Sequence, residues 1–439
     1  MNRSKRSLPL FCALTLLALA TPGFSQDHPT LESADWKLSF DGQYKLRGQF
    51  DSGKNFVGDD IADREWLSHR ARIGMAAAHT SGTKVVVRFQ DVRVWGEETH
   101  ASGQPVLSNG ALGMDIHEAY ALVPLGVQGL SLQLGKQEII LDQHRIVGNL
   151  DWTMRARRFD AARLRYAQDA WDVSGFAALI TERDAVDGDG HVPAGGAGDV
   201  YFGGVHGKYA VGKIAKVSLM SLARKNDTAV KTANELRLTE GLFAEGKVAD
   251  VSFMAEFYQQ LGHLGDKDIS ASMLGVRAAY SLPAPGTPTV GLFFEDLSGD
   301  GNAPNAFELN YGTNHRWYGE MDYFLAFGKD TLQRGLRDMG VTLSASPAAG
   351  LSVGLDVHLF ATHALAGDAL KAAGDKQPET DLGKEVDVRL LWKFQKGASL
   401  HVLYGLFQPG EGMRSVKKIA ADATLTTEHL CVVTLDTAF

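Results

Sequence analysis

The sequence is poor in cysteine, in positive charge and in long apolar runs. Two cysteines among 439 residues exclude a disulfide-rich scaffold and a cysteine-based metal site. The formal net charge of −8 argues against a general nucleic-acid-binding protein, which usually carries a surplus of lysine and arginine. Beyond the N-terminal segment, no run of about 18 apolar residues could form a membrane-spanning helix. The overall hydropathy fits either a soluble protein or a membrane β-barrel, in which only every second strand residue faces lipid.

Residues 1–25 have the three parts of a secretory signal peptide. Three basic side chains within 3–6 precede an apolar stretch, 8–20, that is too short to span a bilayer. Small residues at the end of the segment provide a cleavage site. We therefore expect export of a mature chain, 26–439, in which Cys431 is the only thiol.

The mature chain is dominated by segments in which apolar and polar residues alternate. In 36–50 the apolar residues occupy mostly even positions and the polar residues mostly odd ones, which is typical of a half-buried strand. The predicted strands are 36–50, 65–78, 83–95, 115–123, 130–140, 154–166, 170–181, 200–210, 215–223, 235–245, 250–260, 269–281, 289–295, 333–345, 350–362, 381–394, 399–408 and 429–439. Short and long connections alternate, as the periplasmic turns and extracellular loops of outer-membrane barrels do. We predict an all-β fold, a single transmembrane antiparallel β-barrel of about 18 strands over 26–439.

The C-terminal segment supports an outer-membrane location in a Gram-negative bacterium. Cys431, Val433 and Leu435 share one face with the last residue, Phe439. In outer-membrane proteins a terminal strand of this kind is read by the barrel-assembly machinery, so we expect this machinery and outer-membrane lipid as partners. Six tryptophans fall near predicted strand ends, where an interfacial aromatic girdle would lie. They are Trp36, Trp66, Trp95, Trp171, Trp317 and Trp392.

Arginine is concentrated in the first part of the predicted barrel. Arg70 and Arg72 alternate on one face of their strand, and a further group lies within 145–165. An arginine that faces lipid costs about 2–4 kcal/mol at the bilayer midplane, so these side chains are expected in the lumen or near an interface. A change of parity at Gln90 and Asp91 predicts a β-bulge.

Two interpretations of these arginines remain open. In the first, they form a basic pore. Concentrated like charges repel one another unless they are compensated, so their presence in one region indicates a functional role. Alternatively, they form a structural ladder in which acidic side chains neutralise them. The candidate counter-charges are Asp91, Glu118, Asp151 and Asp160.

Several short motifs occur in order along the mature chain. They lie at 89–96, 118–120, 135–137, 142–148, 151–152, 158–160 and 314–322. Together they resemble the alginate-export family of outer-membrane channels. The resemblance implies an 18-stranded barrel whose arginine-rich pore passes an anionic polysaccharide outward. Two positions depart from the family pattern: Lys136 stands where the family usually has arginine, and Leu141 stands where the family usually has glycine. The parity of the predicted strand 130–140 points the Lys136 side chain toward lipid or the interface.

Parity and the resemblance together select the candidates for the pore lining. These candidates are Arg47, Arg70, Arg72, Arg88, Asp91, Arg93, Glu118, Arg145, Arg155, Arg157, Asp160 and Arg163. Arg145 and Asp160 are included because of the resemblance, and the acidic members are expected to hold the arginines in place. A guanidinium keeps its charge and can bind a carboxylate through two hydrogen bonds, so a uronate-rich chain is the natural ligand class.

The leading functional hypothesis is an outer-membrane channel that exports an anionic, alginate-like exopolysaccharide, with periplasmic secretion components as possible partners. The alternative is an anion-selective or substrate-selective uptake porin for small solutes. We expect no enzymatic activity, because the Gly-x-Ser-x-Gly motif around Ser352 falls in an alternating strand, where its hydroxyl would face the lumen. No metal, cofactor or nucleic-acid partner is expected.

Overall fold

The structure, a computed structural model, describes residues 30–52, 56–57, 63–96, 114–181, 199–227, 234–363 and 379–439. The predicted signal peptide lies outside these residues. Within them the helices are short, namely α1 (Phe327–Asp330), α2 (Gly412–Lys417) and the 3₁₀ turns Ala303–Asn305 and Asn314–Arg316. None of these helices has the length and apolar character needed to cross a membrane.

Antiparallel strands supply most of the regular structure. The first ten strands are β1 (Thr30–Glu32), β2 (Trp36–Asp51), β3 (Arg64–His79), β4 (Lys84–Val94), β5 (Met114–Pro124), β6 (Leu130–Gln137), β7 (Phe159–Gln168), β8 (Trp171–Thr181), β9 (Asp199–Val211) and β10 (Ala215–Asp227). The other nine are β11 (Glu235–Val248), β12 (Val251–Leu264), β13 (Lys267–Ser281), β14 (Thr289–Leu297), β15 (Leu336–Ala348), β16 (Leu351–Ala361), β17 (Asp381–Gln395), β18 (Ala398–Pro409) and β19 (Glu428–Ala438).

Strands β2 to β19 close into a barrel. Each pairs with its neighbour in sequence, and β19 pairs with β2, while β1 only extends the pairing of β2. The eighteen barrel strands correspond one to one to the predicted segments, so the predicted antiparallel barrel is confirmed. Except for the tight turn at 265–266, the longer connections lie at one end and the short ones at the other, as extracellular loops and periplasmic turns do.

The two faces of the wall follow the alternation of the sequence. On β17, Glu385 and Asp387 are buried inside the barrel, whereas Val388 and Trp392 are exposed on the outer face. Ser352 lines an interior cavity, as predicted. The tryptophans exposed on the outer face are Trp36, Trp95, Trp171 and Trp392. The prediction of a girdle position is wrong for Trp317, which is only 5% exposed inside the barrel, and Trp66 pairs with Gln49 on the interior face.

The seam between the first and last barrel strands uses the C-terminal aromatic residue. Phe439 and Gly42 exchange two backbone hydrogen bonds of 3.1 Å. A Cβ at position 42 would come within 2.3 Å of the Phe439 ring. Glycine at this position therefore leaves the space in which the terminal ring packs and completes the seam.

Two long connections fold back into the barrel. Segment A (138–158) joins β6 to β7, and segment B (298–335) joins β14 to β15. The Gly148 N–H donates to the Tyr311 carbonyl at 2.9 Å, and the Thr313 N–H donates to the His144 carbonyl at the same distance. These backbone bonds make the two segments one interior unit.

Segment A explains why two of the predicted strands extend beyond the observed ones. The predicted strands 130–140 and 154–166 run into this segment, whereas β6 ends at Gln137 and β7 begins at Phe159. Apolar side chains of segment A lie with those of segment B in a buried cluster inside the barrel. They include Ile139, Leu141, Ile146, Val147, Phe307 and Leu309. These apolar residues therefore belong to an interior core and not to a strand with one face toward lipid.

Candidate functional site

Four cationic side chains of β2 and β3 lie together on the interior face and form what we call the basic wall. They are Lys45, Arg47, Arg70 and Arg72. The strand register places Lys45 directly opposite Arg70, and like charges in opposed positions destabilise a strand pair unless they are compensated. Arg70 is fully buried, which makes compensation necessary.

Segment A supplies the main compensating charge through Asp151. Its carboxylate accepts from Arg70 at 2.9 Å and from Arg72 at 3.2 Å, and it lies 3.6 Å from the Lys45 ammonium. Burial alone would raise the pKa of Asp151, but Lys45, Arg70 and Arg72 lower it below its usual value. Lys45 also lies 3.4 Å from Asp436 of β19. Two carboxylates thus pair with three of the four cations.

Arg47 interacts with aromatic rings where its neighbours have carboxylates. Its guanidinium lies over the Trp152 ring at 4.1 Å, and His315 of segment B stacks on the same indole at 3.7 Å. The His315 ring reaches Asp322 at 2.7 Å and Glu320 at 2.6 Å. Burial would lower the pKa of His315, but these two carboxylates raise it to about 9. The stack therefore joins the basic wall to both interior segments.

Arg155 and Arg157 lie in segment A and not on a strand, contrary to the predicted strand 154–166. Arg155 is exposed, and it forms no ion pair with any described residue. Its carbonyl accepts from Gln90, whose own amide oxygen accepts from Arg72 at 2.7 Å. Arg157 donates to backbone carbonyls of Gly148 and of segment B, so it holds the segments together.

Arg145 is the anchor of segment A and not an exposed pore residue. It is 1% exposed and binds Glu256 of β12 at 2.8 Å and Glu295 of β14 at 2.7 Å. The Trp317 ring lies 3.7 Å from its guanidinium, and the Tyr318 hydroxyl is 2.9 Å away. Burial would lower the pKa of Arg145, but the two carboxylates raise it well above its usual value.

Arg88, Glu118 and Arg163 lie on the interior face, as predicted. Arg88 forms ion pairs with both Asp41 and Glu118, so Glu118 has the expected role of a counter-charge. Arg163 donates to the Ser174 hydroxyl at 3.3 Å and has no carboxylate partner among the described residues.

Asp91, Arg93 and Asp160 do not lie in the lumen. The pairing of β3 with β4 is regular through Asp91 and Arg93, so both stay on the outer face, where Asp91 binds His69 and Arg93. The prediction of a bulge at Gln90 and Asp91 is wrong. The irregularity nearby lies on β5, because Arg88 pairs with Glu118 and Phe89 pairs with Ile116, so the parity of β4 does not change.

Asp160, the third candidate that does not lie in the lumen, is on the outer face of the barrel. Asp160 lies directly opposite Lys136, and their side chains form an exposed ion pair of 3.1 Å. The outward position predicted for Lys136 is therefore confirmed. Asp160 was selected through the resemblance and not through parity. Because the neighbouring pair Gly135 and Ala161 lies on the interior face, the alternation of β7 places Asp160 on the outer face.

Sequence reasoning missed an acidic wall on β15 to β17. Its members are Asp338, Asp356, Glu385 and Asp387. Asp356 accepts from Arg389 at 2.5 Å, and Glu385 accepts from the Met321 N–H of segment B at 2.8 Å. The alternation of β17 contains the signal for Glu385 and Asp387, because both lie at its polar positions. Lys45 and Asp436 likewise lie at polar positions of alternating strands.

The family model for alginate export matches residues 36–425. The chain belongs to the alginate export family. The match begins with β2 and includes every barrel strand except β19. No curated protein matches the chain in sequence.

Solved structures show how widely this barrel is shared. The chain is similar to Pseudomonas aeruginosa OccK9 (OpdG), with a TM-score of 0.60 and 12% identity over 91% of this chain and 98% of that one. It is also similar to Acinetobacter baumannii OccAB1 (TM-score 0.55, 12% identity, 95% and 99% covered). The outer membrane protein opdK of P. aeruginosa matches with a TM-score of 0.57 and 11% identity over 91% and 98%. These likenesses support the fold, and with the family they identify an outer-membrane channel.

Proposed function

We propose that this member of the alginate export family passes an anionic polysaccharide, alginate-like in its uronate content, along a basic lumen. The observation that carries the proposal is the basic wall, in which Lys45, Arg70 and Arg72 share Asp151 and Asp436, and Arg47 has no ion pair among the described residues. Positive charge left over in a narrow, low-dielectric interior attracts anions. The proposal is a transport function without catalysis.

The same geometry is suited to movement as well as binding. A transported polyanion needs several weak contacts, because a single strong site would hold it. Asp151 neutralises part of the positive charge of Arg70 and Arg72, so it weakens the attraction that the basic wall exerts on the carboxylates of the cargo. Arg155, which is exposed beside Gln90, extends the row of cations along segment A.

Reversal potentials across a salt gradient test this proposal in planar bilayers. We expect anion selectivity in the wild type, and a loss of about two- to fivefold in the anion-to-cation permeability ratio for Arg72→Gln with Arg155→Gln. The matched control is Arg93→Gln, because Arg93 is an arginine of the same barrel that lies on the outer face. Its removal should leave the ratio unchanged.

Two results would contradict the proposal. Cation selectivity in the wild type would show that the acidic wall dominates the lumen. An equal change in the lumenal variant and in the Arg93 control would show that the measurement reports overall charge and not the basic wall.

A second candidate function is uptake of small anionic solutes. An interior cavity of about 500 Å³ beside Trp152, His315, Ser352 and Arg389 favours it, because this volume fits a small molecule. Block of the ion current by uronate oligomers of increasing length separates the two functions. Block that strengthens with length supports polysaccharide passage, and block by the monomer alone supports uptake.

We also propose the partners that an exported barrel of this kind requires. The Phe439 seam and the outward-facing residues of β19 fit recognition by the barrel-assembly machinery. The exposed tryptophans on the outer face fit contact with outer-membrane lipid. Periplasmic secretion components would deliver a polysaccharide to the end with short connections.

A further inference from the structure

A second basic region lies at the end of the barrel that carries the short connections. A cavity of about 540 Å³ is bounded there by β10 to β13 and by the tips of both interior segments. Its cationic lining residues are Lys213, Lys216, Lys247, Arg277 and Arg316. We call this cavity the vestibule. It is separate from the basic wall, which belongs to β2 and β3.

The vestibule has few carboxylates to balance these cations. Among the described residues, Glu245 is the only acidic one that lines it, and the Gln143 amide donates to Glu245 at 2.6 Å, while Lys216 lies 4.0 Å away. Arg277 is paired with Glu295 of the neighbouring strand. Lys213 and Lys247 form no ion pair with any residue in the described part of the chain.

Arg316 lies at the boundary between the vestibule and the interior cavity, since it lines both. Its guanidinium donates to Gln143 at 2.9 Å and has no carboxylate partner among the described residues. Burial, together with the nearby Arg145 and Arg277, lowers the pKa of Arg316. Burial and neighbouring like charges both disfavour the charged form of a guanidinium.

A hydrogen-bond donor at the same place also lacks a partner. Trp317 lines the vestibule and is 5% exposed, and its indole Nε1 has no acceptor among the described residues. A buried donor without an acceptor is costly. A carboxylate or hydroxyl group of a ligand could supply the acceptor that the described residues do not.

From this arrangement we infer that the vestibule is a capture site for uronate carboxylates, which binds the polysaccharide from the end with short connections before it reaches the basic wall. The inference rests on the proposed function and adds where the cargo first binds. Lys213, Lys216 and Lys247 line the vestibule, and Arg316 passes the carboxylates toward the interior cavity. Charges that lie outside the tightest site act mainly on the rate of association.

Side-specific block of single oriented channels tests the inference. The probe is a uronate hexamer prepared from alginate, added to one side of the bilayer at low salt. For Lys216→Gln with Lys247→Gln, and for Arg316→Gln, we expect the rate of block from the short-connection side to fall about five- to tenfold. Block from the opposite side should change less than about twofold. The variant Lys216→Arg with Lys247→Arg should restore the wild-type rate.

A lysine outside the lumen provides the matched control. Lys136→Gln removes one charge from the outer face and should leave both rates unchanged. Equal rates in the variants and the wild type, or an equal fall from both sides, would overturn the vestibule inference and leave the proposed function standing. A wild-type channel that the hexamer blocks from neither side would overturn the proposed function, and the inference with it.

Discussion

The acidic wall and the basic wall face the same lumen but balance their charge in different ways. On the acidic wall each carboxylate meets a donor of the protein itself. The contacts are Asp338 with His358 at 2.8 Å, Asp356 with Arg389 at 2.5 Å, Glu385 with the Met321 N–H at 2.8 Å and Asp387 with the Glu320 N–H at 3.3 Å. On the basic wall, three cations share Asp151, and Arg47 has no ion pair among the described residues.

This difference shows which wall leaves charge uncompensated. On the acidic wall, Glu385 and Asp387 accept from backbone N–H groups of segment B, whereas Asp338 and Asp356 pair with His358 and Arg389 of the barrel wall. The basic wall holds segment A through one carboxylate and keeps positive charge to spare. In the function that we propose, this uncompensated charge attracts the anionic cargo.

The largest expected effect comes from breaking the paired region at Arg145. Arg145→Met would leave Glu256 and Glu295 buried with Arg277 as their nearby cation. Removing one partner of a buried ion pair costs about 3–5 kcal/mol. We expect segments A and B to loosen while the barrel persists, with a lower unfolding temperature and noisier single-channel currents.

A more exposed arginine provides the comparison for this variant. Arg165 pairs with Asp172, and both side chains are at least 40% exposed. Arg165→Met should therefore cost no more than about 1 kcal/mol. If Arg145→Met melted like Arg165→Met, the role of Arg145 as an anchor would be wrong.

The sequence was sufficient for the barrel but not for what lies inside it. Alternation between Glu385 and Val388 identifies a strand with two different faces, and β2 and β16 show the same pattern. Segments A and B have no fixed period. Ile139 and Leu141 look like a strand end in sequence, yet their partners come from segment B, far along the chain. Contacts of this kind depend on the closed fold.

The same limit explains which candidate residues were placed correctly. Arg70, Arg72 and Arg88 lie on regular strands, and parity alone put them in the lumen. Arg93 was misplaced because a bulge on the partner strand was assigned to its own strand. Arg145 was identified as important through the resemblance, but only the fold shows that Glu256 and Glu295 neutralise it.

A smaller effect is expected from removing the shared carboxylate of the basic wall. Asp151→Asn would leave Arg70 and Arg72 without their main counter-charge. Because the Asp151 side chain is 39% exposed, we expect a loss of about 1–2 kcal/mol in stability and a higher anion-to-cation permeability ratio. Asp160→Asn, which breaks an exposed pair on the outer face, should change neither quantity. A lower permeability ratio for Asp151→Asn would contradict the view that Asp151 limits the charge of this wall.

The smallest expected effect is a pH dependence at the contact that joins the two walls. His315 stacks on Trp152 beside the basic wall and binds Glu320, which also accepts from Arg389 of β17. The pKa of His315 is raised to about 9, so its stabilising contribution is complete below the ordinary value of 6.5 and is lost as the pH rises through about 9. Burial would raise the pKa of Glu320, but His315 and Arg389 lower it to about 2, so its contribution is complete above 4.5 and is lost as the pH falls through about 2.

The contact should therefore be strongest between about pH 4.5 and 6.5 and should weaken at alkaline pH. Between pH 8 and pH 10 we expect the wild type to lose about 1–2 kcal/mol through His315, because one pKa unit corresponds to about 1.4 kcal/mol. Thermal unfolding at both pH values measures this loss. His315→Gln keeps a side chain that can form hydrogen bonds but cannot titrate, so subtracting its pH dependence removes the contribution of every other group. Identical pH dependence in the wild type and in His315→Gln would show that His315 does not link the two walls through its charge.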